Sequence, residues 1–240
     1  MMINDTAGSP LWTINLGATT NYTALDSFST SIASYTWDPS YTTYTADPFT
    51  IANDTSFTTV VTDTTGDFFS WGEWIIDPMI YSTTTGIETE QYTAHGYWAA
   101  GSETPASVLD AYRTISSTMT YTGSVIGEVQ TVDMNGFSVG ISPIASGSVT
   151  VAVDFGANTF QSNLAFQTVD TNNYALTYNG STVTNHLIGN LTNGGALTGA
   201  TGTLQGGFYG PTGNIVGGTF DAASSTDLLK IQGAFKAVAP

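Results

Sequence analysis

Apolar and polar residues alternate along most of the second half of the chain. The clearest pattern is a five-residue repeat, aliphatic-x-Gly-x-Phe, at residues 204–208, 216–220 and 231–235. Because every second residue of a strand points to the same side, each repeat places an aliphatic residue, a glycine and a phenylalanine on one face. A phenylalanine can lie over a glycine of the neighbouring strand, and such alternation of size fills a small barrel. The repeats therefore predict a closed β-barrel with a filled interior.

Further alternating segments extend this pattern towards the N-terminus. Strand candidates separated by Gly, Asn or Pro begin near residues 119, 136, 148, 158, 173, 186 and 203. With the last two repeats they give about eight or nine strands, a number at which side chains just fill a barrel. A row of side chains on the inward face of one strand, which we call an inward file, consists of Val149, Val151, Val153 and Phe155. We place the start of the barrel domain at residue 118.

The first hundred residues alternate Thr or Ser with aromatic residues, which is typical of short strands separated by turns. Two segments, residues 68–76 and 92–99, predict an antiparallel pair, and aromatic residues on both of its faces indicate burial on both sides. Residues 104–115 predict one short helix, with Thr104 as its N-cap and Pro105 as its first residue.

The predicted fold class is all-β and mainly antiparallel. Residues 118–240 form an eight-stranded soluble β-barrel, and residues 1–117 form an aromatic- and Thr-rich, handle-like β region that contains the helix. An outer-membrane barrel is the architectural alternative. The apolar face of the strands points inward, however, and the opposite face carries Lys230, Gln232 and Lys236. A membrane barrel of this size shows its apolar face to lipid, so this pattern favours the soluble barrel.

Composition restricts the partners and the location of the protein. Three Lys and Arg residues stand against 19 carboxylates, so the net charge of -16 excludes nucleic acid as a partner. No cysteine is present, and charged residues make up only 9% of the chain, which is typical of exported surface proteins. No apolar run approaches the roughly 18 residues of a membrane helix. The N-terminus lacks a signal peptide, so we expect a mature or excised piece of an extracellular or bacterial outer-surface protein.

The barrel segment resembles a known family. The motif Gly-Phe-Tyr-Gly-Pro at residues 207–211, followed by Gly217-Gly218-x-Phe220 and by Gly-Ala-Phe-Lys at residues 233–236, is similar to the C-terminal barrel of the transferrin-binding protein B family. The resemblance covers roughly residues 118–237. It implies an exported Gram-negative protein, in many members a surface lipoprotein, whose activity is binding: of host transferrin, of complement factor H, or of haem or haemoglobin. The lipidated cysteine of the lipoproteins is missing here, and residues 1–117 do not match the family's handle.

Aromatic and acidic residues concentrate in the paired N-terminal strands and form the candidate ligand-binding set. The set comprises Trp71, Glu73, Trp74, His95, Tyr97 and Trp98. Aromatic faces and a carboxylate suit a sugar, and the alternative is a buried aromatic cluster beneath the helix. We expect no cofactor. Haem is a testable alternative with His95 as an iron ligand, and a haemin titration without a Soret shift would exclude it.

Calcium is the metal that the acidic composition suits. Asp63 and Asp67 bracket an oxygen-rich turn, but the full twelve-residue EF-hand pattern is missing, and a solvated turn is the alternative. Paired carboxylates for glycoside hydrolysis can be chosen from several acidic residues, but nothing fixes two of them at a catalytic separation. We therefore predict that the protein is not an enzyme.

The predicted function is a non-enzymatic binding protein that recognises a protein or small-molecule ligand through barrel loops and the aromatic N-terminal region. The alternative is a structural subunit of an extracellular filament, surface layer or adhesin. In that alternative the protein self-associates by exchange of N-terminal strands from residues 11–50. The sequence does not identify the ligand.

Overall fold

The structure of the protein is a computed structural model. It describes the backbone of residues 2–6, 9–13, 56–65, 69–77, 79–81, 88–91, 94–132, 134 and 138–240. Side-chain environments are described for residues 69–73, 96–132, 134 and 139–240.

The described residues contain fifteen strands and one helix. In chain order the elements are β1 (Met2–Thr6), β2 (Ser9–Thr13), β3 (Ser56–Thr65), β4 (Phe69–Asp77), β5 (Met79–Tyr81), β6 (Glu88–Gln91), β7 (Ala94–Gly101), α1 (Ala106–Thr114), β8 (Thr118–Val132), β9 (Ser138–Asp154), β10 (Thr159–Thr168), β11 (Asn173–Val183), β12 (His186–Asn193), β13 (Thr203–Tyr209), β14 (Ile215–Ser224) and β15 (Leu229–Val238).

The last eight strands form a closed antiparallel barrel in which each strand pairs with its neighbour in sequence. The ring closes because β15 also pairs with β8. This architecture confirms the predicted fold class of a mainly antiparallel β protein with an eight-stranded barrel and one helix. The first barrel strand begins at Thr118. The division of the chain into two domains at that point stays a prediction.

The aliphatic-x-Gly-x-Phe repeats face the interior as predicted. Their aliphatic and phenylalanine side chains are buried in one continuous core together with the other inward files. Phe220 pairs with Gly233 across β14 and β15, and a Cβ atom added to Gly233 would lie 2.7 Å from the Phe220 ring. The phenylalanine of one repeat therefore occupies the space that the glycine of the next repeat leaves.

Helix α1 closes one end of the barrel. Leu109 is fully buried in the barrel core, and the Tyr112 hydroxyl donates to the carbonyl of Thr212. The predicted start of the helix is wrong by one residue. Pro105, not Thr104, is the N-cap, and it makes no side-chain capping hydrogen bond. Thr104 lies one residue before the N-cap, and its hydroxyl donates to the carbonyl of Gly210, which ties the chain before the helix to the barrel.

A second sheet, of β3, β4 and β7, precedes the helix. The predicted antiparallel pairing of β4 and β7 is confirmed, with Gly72 opposite Trp98, although β5 and β6 form their own hairpin between them in sequence. The sheet lies on the outer wall of the barrel, over β14, β15 and β8. It covers Gln232 and Lys236, which are buried, while Lys230 is exposed. Two of the three polar residues on the outer face of β15 are thus enclosed, because a second layer packs there.

The described part of the chain contains no helix that is long and apolar enough to span a bilayer.

Candidate functional site

Three aromatic side chains of the second sheet pack against the barrel wall. Phe69 and Trp71 of β4 and Tyr97 of β7 meet Tyr209, Ile215 and Ala234 on the barrel, with Ala99 and Ile126 completing the cluster. We call this cluster the aromatic junction. The ring centroids of Phe69 and Tyr209 are 4.7 Å apart at an interplanar angle of 49°, a tilted arrangement that aromatic pairs favour. The junction joins the second sheet to the barrel.

The Phe69 ring lies directly on the backbone of Gly217. A Cβ atom added to Gly217 would lie only 2.1 Å from Cζ of Phe69. Any residue larger than glycine would therefore push the ring, and the strand that carries it, away from the barrel. Gly217, at the second position of the second repeat, thus serves the outer face of the barrel, whereas Gly218, at the third position, faces the interior.

A buried carboxylate lies at the same interface. Glu128 on the outer face of β8 accepts hydrogen bonds from the side-chain amides of Gln130 and Gln232, the latter at 2.8 Å. The Tyr97 hydroxyl donates to its other oxygen at 3.4 Å. Burial raises the pKa of Tyr97 far above its usual value, and the Glu128 carboxylate raises it further. Tyr97 therefore stays a neutral donor to Glu128.

The structure brings Trp71 and Tyr97 of the candidate ligand-binding set into this interface, whereas Trp98 lies on the other face of β7 and donates its indole N–H to the backbone carbonyl of Glu73 at 3.4 Å. Trp71, Tyr97 and Trp98 are each at most 5% exposed, and Glu73 is half-buried. Such burial is typical of a packing cluster, although the cluster lies against the barrel wall and not beneath the helix. Contact of these residues with a ligand stays a prediction.

Two members of the set, Trp74 and His95, have described backbones only. Trp74 pairs with Gly96, and His95 pairs with Ile75, between β4 and β7. Their side-chain environments lie outside the described residues, so the haem alternative stays a prediction.

The calcium candidates are described in part. The backbone of Asp63 pairs with Trp71 on β4, next to an irregularity in the register of β3, whereas Asp67 lies outside the described residues. Among the residues that the structure describes, no three His, Asp or Glu side chains are grouped so that they could hold a metal ion. Calcium binding stays a prediction.

The barrel interior has no described space for a ligand, because it is packed with aliphatic and aromatic side chains. A shallow groove of about 760 Å³ lies on the outer wall across β9, β10, β11 and the loop after β12. Its lining combines small residues with the aromatic pair Phe166 and Tyr174 and the amides of Gln167 and Asn173, and it contains no charged side chain.

The hairpin of β8 and β9 runs past the end of β10 at the barrel end opposite to α1, while β8 stays paired with β15 up to Thr131. Strands β8 and β9 stay paired from Glu128 and Pro143 to Val132 and Ser138, whereas the pairing of β10 with β9 ends at Ile144. We call Met134 and residues 138–143, the part of this hairpin outside the buried β8 strand, the projecting hairpin. Among the described residues, β9 has no second strand partner along residues 138–142.

The projecting hairpin displays apolar side chains. Met134 at its turn is 92% exposed, and Val139 and Ile141 on its outer strand are 66% and 43% exposed. Val169, at the end of β10, is also exposed and donates its N–H to the carbonyl of Pro143. Exposed apolar side chains beside an open strand edge are typical of a surface that binds an extended polypeptide.

The comparison with protein families identifies the barrel. The model for the C-lobe and N-lobe β-barrels of Tf-binding protein B matches residues 115–239, just over half of the chain. The chain belongs to this family. Comparison with curated proteins gives no match. The family membership confirms the resemblance that the glycine and phenylalanine motifs indicated.

Solved structures of transferrin-binding protein B (TbpB) align with much of the chain. Intact Ap-TbpB is 16% identical with a TM-score of 0.48, over 78% of this chain and 36% of that chain. Isotype 1 TbpB from serogroup B Neisseria meningitidis is 17% identical with a TM-score of 0.48, over 76% and 36%.

HpuA from Kingella denitrificans, solved in complex with human haemoglobin, is 16% identical with a TM-score of 0.37, over 74% of this chain and 58% of that chain. The chain thus spans less than two thirds of the length of each of these three proteins. Identities and TM-scores of this size establish no shared function.

The sequence reasoning missed Glu128 and its amide donors. Period-2 alternation places Glu128 and Gln232 on the outer face, where polar residues are expected in water. The signal that could have revealed the interface was the presence of small residues, Gly217 and Ala234, on the same outer sector. Small side chains on an outer face permit a second layer to approach closely.

Proposed function

We propose that the chain is a non-enzymatic binding protein of the bacterial cell surface or extracellular space, and that it binds a protein ligand on the outside of its barrel. The filled interior carries this proposal. The inward files and the three repeats occupy the space in which a small molecule could lie. The ligand therefore has to bind to the exterior.

The projecting hairpin is the proposed ligand contact. A small ligand needs a concave pocket, whereas a protein ligand can use a protruding edge with apolar side chains. An extended segment of the ligand can continue the sheet along residues 138–142, with Val139 and Ile141 packing against its side chains. The family name and the HpuA complex supply the first ligands to examine, which are transferrin and haemoglobin.

The test is a binding measurement with the full chain immobilised and transferrin or haemoglobin in solution. Val139→Asp places a charge on the proposed contact, and we expect at least about a tenfold rise in Kd. Ile115→Asp is the matched control. Ile115 is 71% exposed, but it lies at the end of α1, at the opposite end of the barrel from the hairpin. Equal losses in the two variants would reject the hairpin as the contact, and absence of binding of both proteins would reject them as ligands.

The aromatic set remains part of the proposal as a second contact. Trp71 and Tyr97 are buried against the barrel, so a ligand reaches them only if the second sheet moves from the barrel. Trp98 is buried on the other face of that sheet. Addition of the ligand to the full chain would then shift tryptophan emission. Binding at the hairpin with unchanged emission restricts the aromatic residues to a structural role.

The alternative function, a structural subunit that assembles through N-terminal strand exchange, depends on residues 11–50, most of which lie outside the described residues. Exchange of an extended arm gives stable oligomers that separate only after partial unfolding. Size-exclusion chromatography after dilution tests it, because a monomer at all dilutions contradicts strand exchange.

A further inference from the structure

Charged residues are almost absent from one long part of the barrel sequence. Between Asp154 and Asp221 the chain carries a single carboxylate, Asp170, and no lysine or arginine. Charged residues make up 9% of the whole chain, so this stretch is poorer in charge than the rest of an already weakly charged chain. Asp170 lies in the turn between β10 and β11. Strands β10 to β13 therefore contain no Asp, Glu, Lys or Arg at all.

The side chains that point outward from these four strands form a continuous polar surface, which we call the charge-free wall. It consists of Thr159, Gln161, Asn163, Ala165 and Gln167 on β10, Asn173, Ala175, Thr177, Asn179, Ser181 and Val183 on β11, His186, Ile188, Asn190 and Thr192 on β12, and Thr203 and Gln205 on β13. Most of these residues are exposed. The inward-facing residues of the same strands fill the core, so the barrel itself does not demand an uncharged exterior.

Side-chain amides cross the middle of the wall in a row. Gln161 pairs with Asn179, and Asn179 pairs with Asn190, so the three amides lie on adjacent strands. In the next row the Thr177 hydroxyl lies 3.0 Å from the Asn163 amide oxygen. Amides and hydroxyls both donate and accept hydrogen bonds, whereas carboxylates only accept. A surface of amides and hydroxyls is therefore complementary to an identical surface.

We propose that the charge-free wall packs against the charge-free wall of a second copy of this chain. Each copy carries a net charge of -16, so two copies repel each other wherever carboxylates would meet. Carboxylates border the wall at its edges, Glu103 beside His186 and Asp221 beside Thr203, so a contact centred between these edges removes no charge from water and opposes no like charges. A two-fold axis near Asn179, in the middle of the amide row, places the Asn179 side chains of the two copies opposite each other.

The size of the wall sets the expected strength of the contact. Four strands spaced by about 4.8 Å, over about eight residues of about 3.4 Å each, cover about 500 Å² per copy. These strands make up half of the ring of the closed barrel, so the wall is convex and a second copy contacts only part of it. Two complete walls would bury about 1,000 Å², the lower limit for a specific interface, and the curved contact buries less. The contact is therefore reversible and weak. It requires neither the proposed protein ligand nor the projecting hairpin.

Sedimentation velocity of the full chain tests the proposal over about 10 to 500 µM protein, the range in which a weak interface associates. Salt dependence separates this contact from an ionic one. As salt rises from about 20 to about 300 mM, screening shortens the range of the repulsion between the copies. Association through uncharged walls therefore strengthens with salt, whereas association through ion pairs weakens.

Charge-swap variants locate the contact. Asn179→Asp and Asn179→Lys each place like charges opposite one another, and each should raise the dissociation constant at least about tenfold. An equimolar mixture of the two variants should restore association, because opposite charges then meet. Asn214→Asp is the matched control, since it changes the net charge equally at an exposed position in the turn between β13 and β14, outside the wall.

Three results would overturn the proposal. They are a wild-type monomer at every concentration and salt level, unchanged association of Asn179→Asp, and failure of the mixture to exceed the single variants. Thermal unfolding of each variant verifies that it is folded, and Gln161→Glu serves as the second variant if Asn179→Asp unfolds. An oligomer that persists on dilution would favour exchange of N-terminal strands, and it would contradict the reversible wall contact.

Discussion

The contact between Phe69 and Gly217 gives a quantitative test of how the second sheet is attached to the barrel. Phe69 is fully buried, and a phenylalanine that buries about 150–200 Å² contributes about 4–5 kcal/mol at about 25 cal/mol per Å². Phe69→Ala should therefore lower the free energy of unfolding by about 3–5 kcal/mol. Gly217→Ala acts from the other side. Its new methyl group meets the ring at 2.1 Å, and overpacking of this kind costs about 1–3 kcal/mol.

The double variant separates this contact from general destabilisation. Once Phe69 is alanine, the space of the ring accommodates the methyl group of Ala at position 217. Phe69→Ala with Gly217→Ala should therefore be no less stable than Phe69→Ala alone. The coupling free energy expected from the cycle is about 1–3 kcal/mol, well above the roughly 0.5 kcal/mol scatter of independent sites.

Urea unfolding followed by tryptophan emission and by far-UV circular dichroism measures the cycle. All five tryptophans lie before residue 99, so emission reports the N-terminal part, whereas most of the dichroism comes from the barrel. In Phe69→Ala the emission transition should move to lower urea than the dichroism transition. Phe69→Leu, which keeps most of the buried area, is the control. Strict additivity in the cycle would show that the ring does not lie on Gly217.

Three further predictions concern the buried polar groups and the glycines. Glu128→Ala removes the carboxylate that accepts from the side-chain amides of Gln130 and Gln232, and it should lower the free energy of unfolding in urea by about 2–4 kcal/mol. A loss below about 0.5 kcal/mol would contradict the buried cluster. Burial raises the pKa of Tyr97 and Tyr178 above the value of 10.0 that tyrosine has in an unfolded chain, so the free energy of unfolding should be constant below about pH 10 and fall as the pH rises further. In a pH titration, absorbance at about 295 nm should rise together with unfolding. Gradual ionisation of every tyrosine before unfolding would refute this prediction. A Cβ atom at Gly218 would lie 2.0 Å from a carbonyl oxygen of an adjacent strand, so Gly218→Ala should prevent folding or lower the free energy of unfolding by at least about 3 kcal/mol. Gly140→Ala is the control, because the nearest atom to a Cβ there lies at 3.9 Å, and its thermal unfolding should be unchanged. Equal effects of the two substitutions would refute the close approach at Gly218.

The barrel was predictable because its interior depends on an alternation that the sequence displays directly. Each strand is long enough for the alternation of apolar and polar residues to be recognised in the sequence. The repeats indicate that the glycine and the phenylalanine lie on the inward face. The same alternation places Tyr121, Val125 and Val129 in the core, where the structure has them. Local pattern and tertiary packing agree at these positions, as minimal frustration requires.

Features that depend on contacts between distant residues were not predictable from the pattern. Thr104 has a side chain that is common at an N-cap, but its hydroxyl donates a hydrogen bond to the carbonyl of Gly210 in a barrel turn. The outer face of β15 has the polarity of a water-exposed surface, but the second sheet covers it. Alternation tells which side chains face outward, and it does not tell what lies over them. The projecting hairpin was missed for a related reason, since strand length beyond a neighbouring strand depends on where the neighbour ends.

The outer surface of the barrel differs between its two sides, and the core does not explain the difference. Inward residues alone close and fill the barrel, so the outward positions are free to carry charge wherever water surrounds them. On β8 and β15 they carry Glu128 and Lys236, and the second sheet encloses both. On β10 to β13 they carry none, in a chain that has 19 carboxylates. A surface that only contacted water would gain solubility from those charges, whereas a surface that meets another copy of an acidic protein loses affinity with each of them. The composition of the charge-free wall is therefore the composition that a contact between identical acidic molecules favours.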